Sequence, residues 1–167
     1  MKTLMYPLAD WLLIGPTLRD VPLAVKRAAV DQYAITRVVN LWSGADPELA
    51  GITSYVHAPQ TDGLLNDERV ATMDALAHHG VRWSEEGTLL VQCYGGRNRS
   101  GLLAGMILSY RLGISGNEAL SIVRAGRGPS ALNNVHFARL LASMPASAQN
   151  SSASSSGGNS PSSVITS

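Results

Sequence analysis

The chain has 167 residues, 45% of them apolar, and thirteen basic side chains nearly balance twelve acidic ones. That length suits one domain with a sizeable core, and a net charge of +1 offers no polyelectrolyte surface for nucleic acid or membrane. Its single cysteine, Cys93, excludes an internal disulfide, so a reducing, cytoplasmic setting is expected.

The opening "MKTLMYPLADWLLIGP" is faintly leader-like, but Pro7 and Asp10 interrupt the apolar run and no small-residue cleavage site follows, so it reads as mature chain. "WLLIG" is a first strand ended by Gly15-Pro16. "VPLAVKRAAVDQY" has helical spacing, with Pro22 tolerated in a first turn. "RVVNLW" (37–42) and "TSYVHAP" (53–59) are the next strands. Asp67 to about His79 forms an amphipathic helix whose Asp67 and Glu68 favour the dipole at its start, and whose His78 and His79 close it. "TLLVQC" (88–93) is apolar nearly throughout, which fits a strand covered on both faces.

From there the pattern turns helical. "SGLLAGMILSYRLG" is apolar nearly all round and stops at Gly113. Ser115 and Glu118 make a capping-box signature for "NEALSIVRAG". "LNNVHFARLLASM" is a last helix, in which His136 is expected to be partly buried. Strands alternating with helices, then helices alone, predict an α/β fold with a central, mostly parallel sheet flanked by helices. The domain is expected to span residues 1–145. The remainder, 146–167, has no charge and is nearly half serine, so a disordered tail is expected there. No run is long and apolar enough to span a bilayer, and no metal cluster is apparent. Trp11, Trp42 and Trp83 read as core or edge packing.

The stretch "VQCYGGRNRSG" (91–101) carries the chemistry. A buried strand, a glycine-containing loop and a helix start form an anion site, because loop N–H groups and the helix N-terminus converge on one point. Gly95 and Gly96 permit a tight loop. Cys93 at its head would have its thiolate stabilised by the same N–H groups. Arg99 can grip two phosphate oxygens with a planar fork, and the Ser100 hydroxyl is within reach of the sulfur. The plain alternative is a buried core cysteine. Tyr94 either lines the pocket mouth or packs beside it, and Arg97 is either solvated or part of a basic rim.

The segment Gln92-Cys93-Tyr94-Gly95-Gly96-Arg97-Asn98-Arg99-Ser100 resembles the Cys-x5-Arg-Ser/Thr loop of the protein tyrosine phosphatase superfamily, and more closely that of the dual-specificity phosphatases. Three further stretches resemble the same family: "LLIGPTLRDVPLAVKRAAVDQYAITRVVNLWSG", "YVHAPQTD" and "EALSIVRAGRGPSALNNVHFARLL". The resemblance covers roughly residues 11 to 142. It implies Cys93 as the nucleophile that forms a phosphocysteine, and Arg99 with loop residues Tyr94 to Asn98 as the phosphate cradle. Asp62 would be the general acid and Ser100 would stabilise the departing thiolate. Arg127 and Asn134 match positions that brace the loop from behind. Asp67 is the rival acid, although it suits a helix start better. Neither cofactor nor metal is implied.

The expected substrate is a phosphorylated protein, with phosphotyrosine first and phosphoserine or phosphothreonine beside it. A non-catalytic phosphate-binding module, or the same chemistry on RNA 5′-triphosphates or phosphoinositides, stays open as an alternative. So does the oligomeric state. Gln92 departs from the family's histidine, and brings amide hydrogen bonds without charge to the position before the nucleophile.

Overall fold

The computed structural model describes residues 4–147. Five strands and six helices follow in the order β1 (Tyr6–Ala9), β2 (Leu12–Pro16), α1 (Leu23–Gln32), β3 (Ile35–Asn40), α2 (Pro47–Ala50), β4 (Ser54–His57), α3 (Asp67–Glu86), β5 (Thr88–Cys93), α4 (Arg99–Leu112), α5 (Gly116–Arg127) and α6 (Val135–Ala142). The sheet order is β1-β2-β5-β3-β4. Only the β1–β2 pairing is antiparallel; β2–β5, β5–β3 and β3–β4 are parallel. The α/β fold with a mostly parallel sheet is therefore as the sequence pattern implies.

β5 lies at the centre, and its side chains alternate between two cores as the pleat requires. Leu89, Val91 and Cys93 enter the larger core with α4 and α6 residues such as Leu103, Ile107 and Phe137. Leu90 enters the smaller one beside Leu13, Val38, Val30 and Leu49. α4 is buried at every position from Ser100 to Ser109, which explains its lack of a polar face. It starts where β5 ends, so the central strand and the central helix both point at the loop between them.

Four features differ from the sequence reading. β1 is an added edge strand: the turn at Asp10–Trp11 folds Tyr6–Ala9 back on β2. α2 is a single turn whose cap is Asp46, which accepts from Leu49 N–H, with Pro47 following. α3 continues to Glu86, so His78 and His79 lie inside it instead of closing it. A Cβ on Gly80 would come within 2.4 Å of Ile107 Cδ1, so this glycine serves the close packing of α3 on α4. α6 begins only after Asn134, which caps it, and His136 is exposed, not partly buried.

Trp11 and Trp83 lie as expected, under Arg111 and Arg37 respectively. Among the described residues no helix is long and apolar enough to cross a membrane, and no group of three or more metal-ligating side chains comes together. The expected tail falls outside the described residues from position 148 on.

On the α1 side, Lys26 is 1% exposed and pairs with Asp46 at 2.8 Å and Glu48 at 2.9 Å. Burial pulls its ammonium down, but the bonds and charges of Asp46 and Glu48 outweigh this and hold it above the usual 10.5. Lys26 also donates to Arg19 O. It thus ties the loop after β2 to the loop after β3, and both loops rim the site described next.

Candidate active site

Cys93 is the last residue of β5 and is 2% exposed. Its Sγ lies 3.3 Å from Ser100 Oγ, and Ser100 is fully buried in the first turn of α4. Between them the chain makes one compact loop. Gly96 has φ +60°, and a Cβ on it would strike Gly15 C at 2.4 Å and Pro16 N at 2.5 Å. Only glycine fits where the loop leans on the end of β2. Gly95 meets no such demand: its φ is not left-handed, and nothing lies within 4 Å of an added Cβ. The sequence reading gave both glycines the same role; the structure needs only Gly96 for it.

The loop's carbonyls are held outward one after another. Tyr94 O accepts from Thr17 N–H, and Arg97 O accepts from Leu132 N–H. Gly95 O and Gly96 O both accept from the Arg127 guanidinium, at 3.3 and 2.8 Å. Arg127 itself lies over the Tyr6 ring, 4.0 Å from its centroid. No N–H of residues 94–98 donates to an acceptor among the described residues. With each carbonyl tied to the outside, the amide hydrogens are left for the concave side, where α4 also presents its N-terminus. This concavity suits an anion. Arg127 braces the loop, as its position in the sequence suggested.

Arg99 opens α4 and reaches the opposite loop, where Nη1 donates to Gln60 O at 2.8 Å. Its buried Nε has no partner among the described residues. Asp62 stands on that opposite loop, residues 58–66, between β4 and α3. Asn98 Nδ2 donates to Asp62 Oδ2 and Asn134 Nδ2 donates to Asp62 Oδ1, each at 2.8 Å. Asn134 was expected to brace the phosphate loop. Its N–H does so, donating to Asn98 Oδ1 at 3.1 Å, while its side chain caps α6, through His136 N–H and Phe137 N–H, and holds the aspartate. Asp67 is the first residue of α3, beyond the Asn66 cap, so of the two aspartates only Asp62 lies on this loop. Arg69 fixes the rest of the loop by donating to Thr61 O and Leu64 O. Sequence reasoning missed Arg69, because nothing in its spacing marks a helix arginine that reaches back five and eight residues.

The rim is aromatic on one side. Tyr94 is 65% exposed, and its ring centroid lies 5.7 Å from that of Trp42, which Arg19 overlies at 5.8 Å. Trp42 therefore borders the site and is not simple core packing. Its loop is fixed by Asn40, which accepts from Trp42 N–H and donates to Gly44 O. Arg97 is exposed and lines a groove of about 580 Å³ with Tyr6, Thr17, Tyr94 and Arg127, on the outer side of the loop. Gln92 is fully buried with neither amide atom partnered among the described residues. Because neighbouring strand residues face opposite sides, its side chain points into the α1 side of the sheet and away from the thiol.

No protein-family model and no curated protein sequence matches the chain. Solved structures do. Human DUSP28 aligns over 84% of this chain and 92% of its own, with a TM-score of 0.64 and 23% identity. A mouse putative dual specificity phosphatase, solved with zinc tungstate, aligns over 82% and 83%, with a TM-score of 0.63 and 26% identity. A cysteine-to-serine variant of P. aeruginosa TpbA in complex with phosphotyrosine aligns over 81% and 80%, with a TM-score of 0.63 and 20% identity.

Proposed function

We infer that this chain, a member of the dual-specificity phosphatase family of the protein tyrosine phosphatase superfamily by its fold and its Cys-x5-Arg-Ser loop, is a cysteine-dependent phosphatase acting on phosphotyrosine in proteins, with phosphoserine and phosphothreonine within its range. The observation that carries the reading is the loop itself. Its carbonyls are turned out, and Cys93 and Ser100 are in contact at its base.

The Cys93 thiolate attacks phosphorus. A sulfur–phosphorus bond forms, the phosphorus–oxygen bond to the substrate breaks, and Asp62 delivers its proton to the leaving oxygen. The loop N–H groups and the Arg99 fork hold the equatorial oxygens as charge builds on them; the unpartnered Nε of Arg99 is a donor suited to that use. In the second step the Asp62 carboxylate takes a proton from water, water oxygen bonds to phosphorus, and sulfur leaves as thiolate. Ser100 Oγ donates a hydrogen bond to that sulfur. The exposed Tyr94 beside Trp42 supports an aryl ester, since both ring faces can line an aromatic leaving group.

The test is a turnover assay without added metal, comparing an aryl phosphate, phosphopeptides, phosphoinositides and triphosphate-ended RNA. The expected result is fastest cleavage of phosphotyrosine peptides and complete loss in Cys93→Ser. Preference for the lipid or RNA would move the substrate class. Phosphopeptide binding without any turnover would replace the enzyme by a binding module.

A further inference from the structure

We propose that Asn98 and Asn134 are positioning residues that aim Asp62, and that Asn98 serves the acid and not the phosphate. The proposal rests on Asp62 being the general acid of the reaction described above.

Asn98 occupies the cap position of α4, where an asparagine side chain ordinarily accepts from the second or third helical N–H. Here it makes no cap bond. Both ends of the amide reach across the site instead: Nδ2 donates to Asp62 Oδ2 at 2.8 Å, and Oδ1 accepts from Asn134 N–H at 3.1 Å. Asn134 is divided in the same way. Its Oδ1 accepts from His136 N–H and Phe137 N–H, while its Nδ2 donates to Asp62 Oδ1 at 2.8 Å. Two segments distant from Asp62 in sequence thus close on its carboxyl group.

Asp62 is exposed and sits on a loop. An exposed carboxyl so placed would turn about its own torsions and spend little time aimed at a leaving oxygen. One amide on each oxygen removes that freedom. Each oxygen keeps a second lone pair, so the group can still carry and release a proton while held. Neither amide titrates, so both donors keep their N–H groups at every pH. Asn98 directly precedes Arg99, so the group that orients the acid and the group that grips the phosphate are adjacent residues of one rigid helix start. Proton donor and phosphorus are thereby kept in register by a single element, which is where orientation contributes most to rate.

The experiment compares the full chain with Asn98→Ala and Asn134→Ser, the latter keeping a capping oxygen for α6 while removing the donor. Each is assayed on phenyl phosphate, a poor leaving group, and on a fluorinated umbelliferyl phosphate, a good one, with inorganic phosphate as competitive inhibitor. General acid catalysis is worth 10²–10⁴-fold. Loosening the acid should therefore cost about tenfold in kcat on phenyl phosphate and about twofold on the activated ester, with phosphate inhibition unchanged. In an Asp62→Asn background the same substitutions should add less than about twofold, since the group they aim is gone. Equal losses on both esters with weakened phosphate inhibition would make Asn98 a phosphate ligand and overturn the proposal. Losses that simply multiply with that of Asp62→Asn would overturn it too. A wild-type chain that cleaves neither ester would overturn the phosphatase reading itself, and this inference with it.

Discussion

The two loops that Asn98 and Arg99 join are held by different kinds of bond. In the loop of residues 93–99, which we propose holds phosphate, four successive main-chain carbonyls are tied to the outside. Two of the donors are themselves main-chain N–H groups, at Thr17 and Leu132, and Arg127 supplies the rest. In the loop of residues 58–66, which carries the proposed acid Asp62, main-chain bonds anchor only the beginning, from Ala58 to Asn40 O and from Gln60 to Leu41 O. From there side chains of other elements take over: Arg99, Asn98, Asn134 and Arg69. The first loop is a backbone structure with one brace. The second keeps its shape only while several remote side chains stay in place. Single substitutions should therefore be able to damage protonation while sparing phosphate binding.

The largest effect should come at the base of the backbone-held loop. Cys93→Ser should abolish turnover while inorganic phosphate or tungstate still binds, because a hydroxyl without an added base is too weak a nucleophile and the cradle is unchanged. Calorimetric titration with tungstate, beside a turnover assay, checks both halves. Arg99→Lys should follow, with a loss of about 10²–10³-fold in kcat. An ammonium cannot span two phosphate oxygens, and the bond to Gln60 O that joins the loops is lost as well.

Arg127→Ala frees the carbonyls of Gly95 and Gly96, so the cradle itself relaxes. The expected loss is about ten- to a hundredfold, equal for good and poor leaving groups, since a small misplacement of the reacting centre is enough. Arg69→Ala frees Thr61 O and Leu64 O and should slow poor leaving groups by about tenfold but good ones far less, because only the acid moves. Steady-state kinetics over a series of substituted phenyl phosphates separates the two patterns. Equal slopes in both variants would show that the loops do not act independently.

The smallest effect belongs to Gln92. Its amide is buried without a partner and faces away from the thiol. Gln92→Leu should raise stability by about 1 kcal/mol, by removing two unsatisfied polar atoms, with little change in the rate of Cys93 alkylation by iodoacetamide. Urea unfolding and a fixed-pH alkylation time course measure these. A large change in alkylation would mean that residue 92 acts on the thiol through the sheet.

The sequence alone determined the parts whose geometry is local. β5, the loop and α4 are contiguous, so an apolar run, a glycine and a helix start mark the strand–loop–helix order in the sequence, while Thr17, Leu132 and Arg127 from distant segments hold the loop's carbonyls. The capping box at Ser115 and Glu118 was legible for the same reason, since its partners lie three residues apart. Tertiary structure decided whatever depends on residues far apart in the chain. It divided the work of the two glycines, because only Gly96 meets Gly15 and Pro16 across the sheet. It carried α3 past Gly80, because the absent side chain is answered by Ile107 of α4. It set the Asn134 amide on Asp62, a residue 72 positions away, and brought Trp42 from the end of β3 to the side of Tyr94. A sequence shows which donors and acceptors a chain carries, and spacing pairs those within a turn or two. For the rest, the partner is set by how the sheet and its helices pack, and that is an outcome of burying the whole core.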